Sequence, residues 1–253
     1  MYKIKNFLLI GIDITKHGCT IAKALLEAGE RPVGAVISTW NHELVEICKP
    51  FHKTWLEPEE AAKLAEKIPV QTMDNAIVEI YKTCQIPFIF VDKLSSDTAA
   101  DLVEQTGADT ALLAEGPILK GRILTSAPCG VVNFHAAPLP AFRGNYATYW
   151  ALYNDVPLQV SAHIVSAGID TGDILMRQTL PVFRGDKLSD IDSRGYEVAG
   201  NLAVSLVRQA RSAGIPRIRQ ERWEGTDYRG NMPNDIIQEC ARRLAAEEYG
   251  FYE

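Results

Sequence analysis

Asn133 and His135 stand two residues apart at the end of the apolar run from Gly130 to Phe134. On a strand, side chains at i and i+2 point to the same face, so one amide and one imidazole reach the same spot. Pro138-Leu139-Pro140 follows directly and fixes φ at two positions, which sets the pair at the mouth of a stiff loop. Asp170 comes later, between Gly168 and Gly172, where glycines permit turns and leave room for a ligand to touch backbone. An amide N–H donor, a titratable imidazole and a carboxylate are the parts needed to stabilise an oxyanion and move a proton. Spacing alone is better served by a core histidine satisfied by a neighbouring carboxylate, with Asn133 in a turn.

The elements that must position these groups read as an α/β fold. Phe7–Ile12 has the look of a buried strand, Cys19–Ala28 of a helix ending at Gly29, and Val33–Ile37 of the next strand. Helices are expected over Trp40–Cys48, Glu57–Glu66 and Asn75–Lys82, with a short extended piece at Ile68-Pro69-Val70. Phe88–Val91 and Thr110–Ala114 read as strands, separated by a helix that Ser96 with Asp97 caps and that runs to Thr106. A helix-like NYATYWALYNDV, a strand-like LQVSAHIVS, a strand over Ile174–Val182 and a helix over Leu188–Ala213 complete a Rossmann-like, mostly parallel twisted sheet with helices on both faces. Residues 1–213 are read as the catalytic domain and 214–253 as a short C-terminal extension, with Asn234 capping a last helix. That tail is expected to pack on the catalytic domain or on a partner subunit in a homodimer.

A net charge of -6 and a pI near 5.5 argue against a nucleic-acid surface, which needs clustered Lys and Arg. Five cysteines without C-x-x-C spacing suit reduced thiols in a cytoplasm and suggest no zinc site. The N-terminal apolar run is far shorter than the roughly 20 residues of a membrane span. The turn GIDITKHG lacks G-x-G-x-x-G, and Asp13 would set a negative charge where a pyrophosphate should sit, so no dinucleotide is expected.

Asn133-Phe134-His135, Leu139-Pro140, Arg143-Gly144 and Gly168-Ile169-Asp170-Thr171-Gly172-Asp173, in that order, resemble the motifs of the folate-dependent formyltransferases. That superfamily includes methionyl-tRNA formyltransferase, glycinamide ribonucleotide transformylase and the amino-sugar N-formyltransferases. The resemblance spans roughly residues 5 to 210 and implies Asn133, His135 and Asp170 as the catalytic residues, with 10-formyltetrahydrofolate as the formyl donor. His135 is expected to donate as an imidazolium held charged by Asp170. The resemblance also implies that the donor's pterin lies against Glu115, Gly116, Pro117, Ile118 and Leu119 and against Ala167, Gly168 and Ile169.

The acceptor is expected to be an amine on a small metabolite. The first turn lacks the phosphate cradle of the glycinamide ribonucleotide branch, DTGD replaces its DGGP-like turn, and few residues follow the catalytic helix to form a tRNA-gripping domain. A nucleotide-linked amino sugar is therefore favoured, held by Arg143, Gly144, Trp223, Tyr228 and Arg229. A hydroxylated amino acid, glycinamide ribonucleotide, or hydrolysis of the donor are the alternatives. His163 reads as structural, or as support behind the site. Tyr146, Tyr149, Trp150 and Tyr153 read as packing.

Overall fold

The structure is a computed structural model that describes residues 1–12, 15–55, 58–68, 76–221 and 228–253. Asp13, the extended piece at Pro69-Val70 and Trp223 lie outside the described residues.

In chain order the elements are β1 (Phe7–Ile12), α1 (Lys16–Glu27), β2 (Ala35–Ser38), α2 (His42–Cys48), α3 (Pro58–Lys67), α4 (Ala76–Thr83), β3 (Phe88–Val91), α5 (Asp97–Gln105) and β4 (Thr110–Ala114). They continue with β5 (Val131–His135), β6 (Arg143–Gly144), α6 (Ala147–Tyr153), β7 (Gln159–Ile164), β8 (Ile174–Thr179), α7 (Leu188–Ser212), β9 (Tyr228–Arg229) and α8 (Asn234–Ala245). The main sheet runs β3-β2-β1-β4-β5-β7-β8, and β6 pairs separately with β9. Strands β1 to β5 are parallel, while β7 and β8 are antiparallel to their neighbours.

Every residue of β2, β3 and β4 is buried, as expected of parallel strands covered on both faces. This is why FIFV and TALLA are continuous apolar runs rather than alternating ones. The strand order reverses between β1 and β4, which opens a crevice beyond their carboxyl ends, where α/β sheets bind ligands. Among the described residues no helix is long and apolar enough to cross a membrane.

Boundaries differ from the sequence reading where caps or prolines act. Helix α1 begins at Lys16, ahead of the apolar pattern, because the Thr15 hydroxyl accepts from the Gly18 N–H at 3.2 Å. Strand β8 stops at Thr179, short of Pro181, whose ring nitrogen has no N–H for a ladder. Asn234 is not the cap of α8. The Pro233 carbonyl already accepts from Ile236 and Ile237, so Pro233 holds the cap position and Asn234 is the first helical residue.

Candidate active site

Strand β5 presents Asn133 and His135 on one face, and its antiparallel neighbour decides what stands across from them. The β5–β7 register pairs Asn133 with His163 and His135 with Ser161. The loop after β5 is tied down by the same neighbour: Ser161 Oγ donates to the Ala137 carbonyl at 2.7 Å and accepts from the Leu139 N–H at 3.2 Å. Arg177 of β8 donates to the Leu139 carbonyl at 3.0 Å, and the Leu139–Pro140 peptide is cis. The stiffness read from the two prolines is thus reinforced by three hydrogen bonds from two strands.

Asp170 adopts a left-handed backbone with φ at 50°, a conformation that Asp tolerates better than most residues. Its turn is compact because Gly172 passes the Ile164 carbonyl so closely that an added Cβ would lie 1.9 Å from that oxygen. The carboxylate then meets both histidines. Oδ2 is 3.6 Å from His135 Nδ1 and accepts the Gly144 N–H at 2.8 Å, while Oδ1 is 3.4 Å from His163 Nε2.

The carbonyl partners fix both tautomers, because a carbonyl oxygen can only accept. His135 Nε2 donates to the Phe142 carbonyl at 2.8 Å, leaving the Nδ1 lone pair of the neutral ring toward Asp170 and the cavity. His163 Nδ1 donates to the Ile164 carbonyl at 3.0 Å, so its Nε2 accepts from the Asn133 amide at 3.3 Å. That contact fixes which end of the Asn133 side chain is the NH₂.

Burial lowers the pKa of His135 and outweighs the Asp170 charge, which raises it; His163 lowers it further. The expectation of an imidazolium held charged by Asp170 is therefore corrected: burial works against that charge and favours the neutral ring with its lone pair on Nδ1. Asp170 behaves in the opposite way. Burial alone would raise its carboxyl, but His163, His135 and the Gly144 N–H together hold it down at about 2.

These groups line a cavity of about 210 Å³ whose walls include Gly116, Pro117, Ile118, Leu119, Gly168 and Ile169. Gly144, Asn145 and Tyr228 close another side. Glu115 faces a neighbouring cavity of about 500 Å³ that shares the Gly116-Pro117-Ile118 wall, and burial raises its carboxyl pKa. Ala167 is exposed and does not line the central cavity.

Two residues read as acceptor contacts are placed otherwise. Arg143 is 4% exposed and donates to Gln220 Oε1 at 3.2 Å, away from the cavity wall. Arg229 lies over the rings of Trp150 and Phe142 at 5.0 and 5.6 Å. Sequence reading underweighted His163 and passed over Gln220. Parity along β7 gave the first a face but no partner, and nothing local marks the second.

The formyl transferase family profile matches residues 52–207, more than half of the chain. The chain belongs to the formyl transferase family. The chain is 28% identical over 159 residues to a methionyl-tRNA formyltransferase from Cyanothece sp., a match covering 62% of this chain and 48% of that one. The chain thus spans about half the length of that curated relative. Its fold is shared with a sugar N-formyltransferase from a Shewanella species, at a TM-score of 0.61, 14% identity and coverage of 94% and 87% of the two chains. It is shared too with an N-formyltransferase from Helicobacter canadensis solved with folinic acid and dTDP-3-aminofucose, at a TM-score of 0.59, 14% identity and coverage of 98% and 84%.

Proposed function

We propose that this chain transfers a formyl group from 10-formyltetrahydrofolate to the amine of a small metabolite. The observation that carries the reading is the convergence of the Asn133 amide, the His135 Nδ1 lone pair and the ionised Asp170 on one cavity. The amine attacks the formyl carbon, a C–N bond forms, and the carbonyl oxygen gains negative charge that the Asn133 N–H stabilises. His135 Nδ1 takes the proton from the attacking nitrogen, becoming a cation beside Asp170, and delivers it to the departing N10 as the old C–N bond breaks. No proton is gained or lost over the cycle. The donor's pterin lies against Gly116–Leu119 and the turn at Gly168–Ile169, strand-end segments that meet at the reacting groups.

The acceptor is an amine on a nucleotide-linked sugar. Support comes from the missing phosphate cradle in the first turn and from Tyr228, which is 52% exposed at the cavity rim with its ring open for stacking. The Helicobacter canadensis protein with the same fold carries a ligand of this kind.

The test incubates the chain with 10-formyltetrahydrofolate and each of four acceptors: a dTDP- or UDP-linked amino sugar, glycinamide ribonucleotide, N-hydroxyornithine and methionyl-tRNA. Formylation of the nucleotide sugar at the highest kcat/KM is expected. Preference for another amine overturns the acceptor alone, and formate release without any formylated amine overturns transfer itself.

A further inference from the structure

The segment after α7 does not simply leave the catalytic fold. It returns along the sheet edge, where Ile218 exchanges both backbone hydrogen bonds with Ile174 at 2.8 and 2.9 Å, directly after the Asp170 turn. This delivers Gln220 underneath that turn. Gln220 Nε2 donates to the carbonyls of Asp170 at 2.9 Å and Gly172 at 2.6 Å, and its Oε1 accepts from Arg143 at 3.2 Å. Arg143 precedes Gly144, whose N–H holds Asp170 Oδ2 at 2.8 Å.

We propose that Gln220, backed by the buried Arg143, is a positioning residue that fixes the Asp170 carboxylate against His135 and His163, so that the C-terminal segment completes the active site. The inference rests on the formyl-transfer reading for its kinetic consequence, but the clamp itself is a matter of geometry. A primary amide suits the task because it alone among side chains of this length offers two N–H donors and one acceptor in a plane. Two carbonyls two residues apart along the turn, Asp170 and Gly172, need the donors, and a guanidinium needs the acceptor. The burial of Arg143, which a contact to substrate would not require, is explained by the same arrangement. Without the amide, the Asp170 and Gly172 carbonyls lose their partner, and the left-handed Asp170 backbone is free to relax.

The test uses the full-length chain with Gln220→Met, which removes donors and acceptor, and Gln220→Glu, which keeps the acceptor for Arg143 but has no N–H for the two carbonyls. Arg219→Ala, an exposed neighbour, is the control. Both Gln220 variants are expected to lower kcat at least tenfold with the donor KM within twofold of the parent, while Arg219→Ala leaves both unchanged. A second readout needs no turnover. In a proton NMR titration, the C2–H of His135, assigned by its loss in His135→Gln, should titrate at lower pH in both variants, because Asp170 no longer supports the imidazolium. A folded Gln220→Glu with parental kcat and an unmoved His135 midpoint overturns the proposal. A parent chain that transfers no formyl group overturns the function proposed above, and the NMR shift then still decides the clamp.

Discussion

In the proposed mechanism His135 and Asp170 divide the acid–base work because the same pocket acts on them in opposite directions. Burial keeps the imidazole neutral, whereas donors to the carboxylate overcome burial and keep it ionised. Replacing His135 with Ala or Asp170 with Asn is therefore expected to lower kcat at least about 10²-fold with the fold intact, as measured by steady-state kinetics beside circular dichroism. A base that works in its neutral form loses activity as pH falls through its pKa, so the acid limb of kcat/KM should lie below about 6.5, the unperturbed value for histidine. Since Asp170 raises the His135 pKa, the residual activity of Asp170→Asn should have its acid limb at still lower pH. An acid limb above the ordinary histidine range would reassign the base. His163→Phe keeps a buried ring but removes the acceptor that orients Asn133. It should cut kcat by about tenfold and leave the donor KM near the parental value, the pattern of a lost transition-state contact.

At the scale of elements, the site depends on two close backbone approaches. Gly172 lets the Asp170 turn pass the end of β7, and Gly144, at φ +92°, lets β6 lie under β9, where an added Cβ would stand 2.3 Å from the Arg229 carbonyl. Gly172→Ala is expected to destabilise the fold by about 2 kcal/mol or more and to lower kcat together with stability, because backbone cannot yield as a side-chain tip can. Gly144→Ala also meets backbone and should lose stability too, but it should in addition loosen Tyr228 at the cavity rim, raising the acceptor KM more than the donor KM. Measuring both constants alongside urea denaturation separates the two outcomes.

For the whole molecule, acid sensitivity should come from histidines buried in the neutral form. The His17 ring stacks on Tyr196 at 5.2 Å, its Nε2 has no hydrogen-bond partner among the described residues, and burial lowers its pKa to about 4. An unfolded His17 binds a proton below about 6.5 that the folded one refuses until about 4, so stability falls as pH drops through that window. Asp170 acts in the same direction but in a lower window: its carboxyl near 2 contributes stability that is complete above about 4 and is lost only as pH approaches 2. Thermal melts should accordingly show Tm declining from pH 6.5 to 4. His17→Phe, which preserves the ring stack, should recover on the order of 1–2 kcal/mol of that loss at pH 4.5. An unchanged decline would place the titrating group elsewhere.

Strands β1, β3 and β4 and the outline of α5 are legible in the sequence because each is a local pattern: an apolar run of strand length, or a Ser96 cap before a helical stretch. Asn133 and His135 are legible for the same reason, since two residues on one strand share a face whatever the rest of the chain does. Contacts between distant segments are not written locally. That Asn133 faces His163 follows from an antiparallel register, and that Arg143 turns inward follows from Gln220 arriving 77 residues later along the sheet edge. His52 shows the same limit, since it donates to the Phe90 carbonyl at 2.7 Å, a partner 38 residues away in sequence that nothing local marks. The charge state of His135 could not be read either, because a pKa is set by the balance of burial against neighbouring charge, and both exist only once the chain has folded. The sequence by itself determined which side chains could do the chemistry; tertiary structure decided which nitrogen carries the proton and what holds the carboxylate in reach.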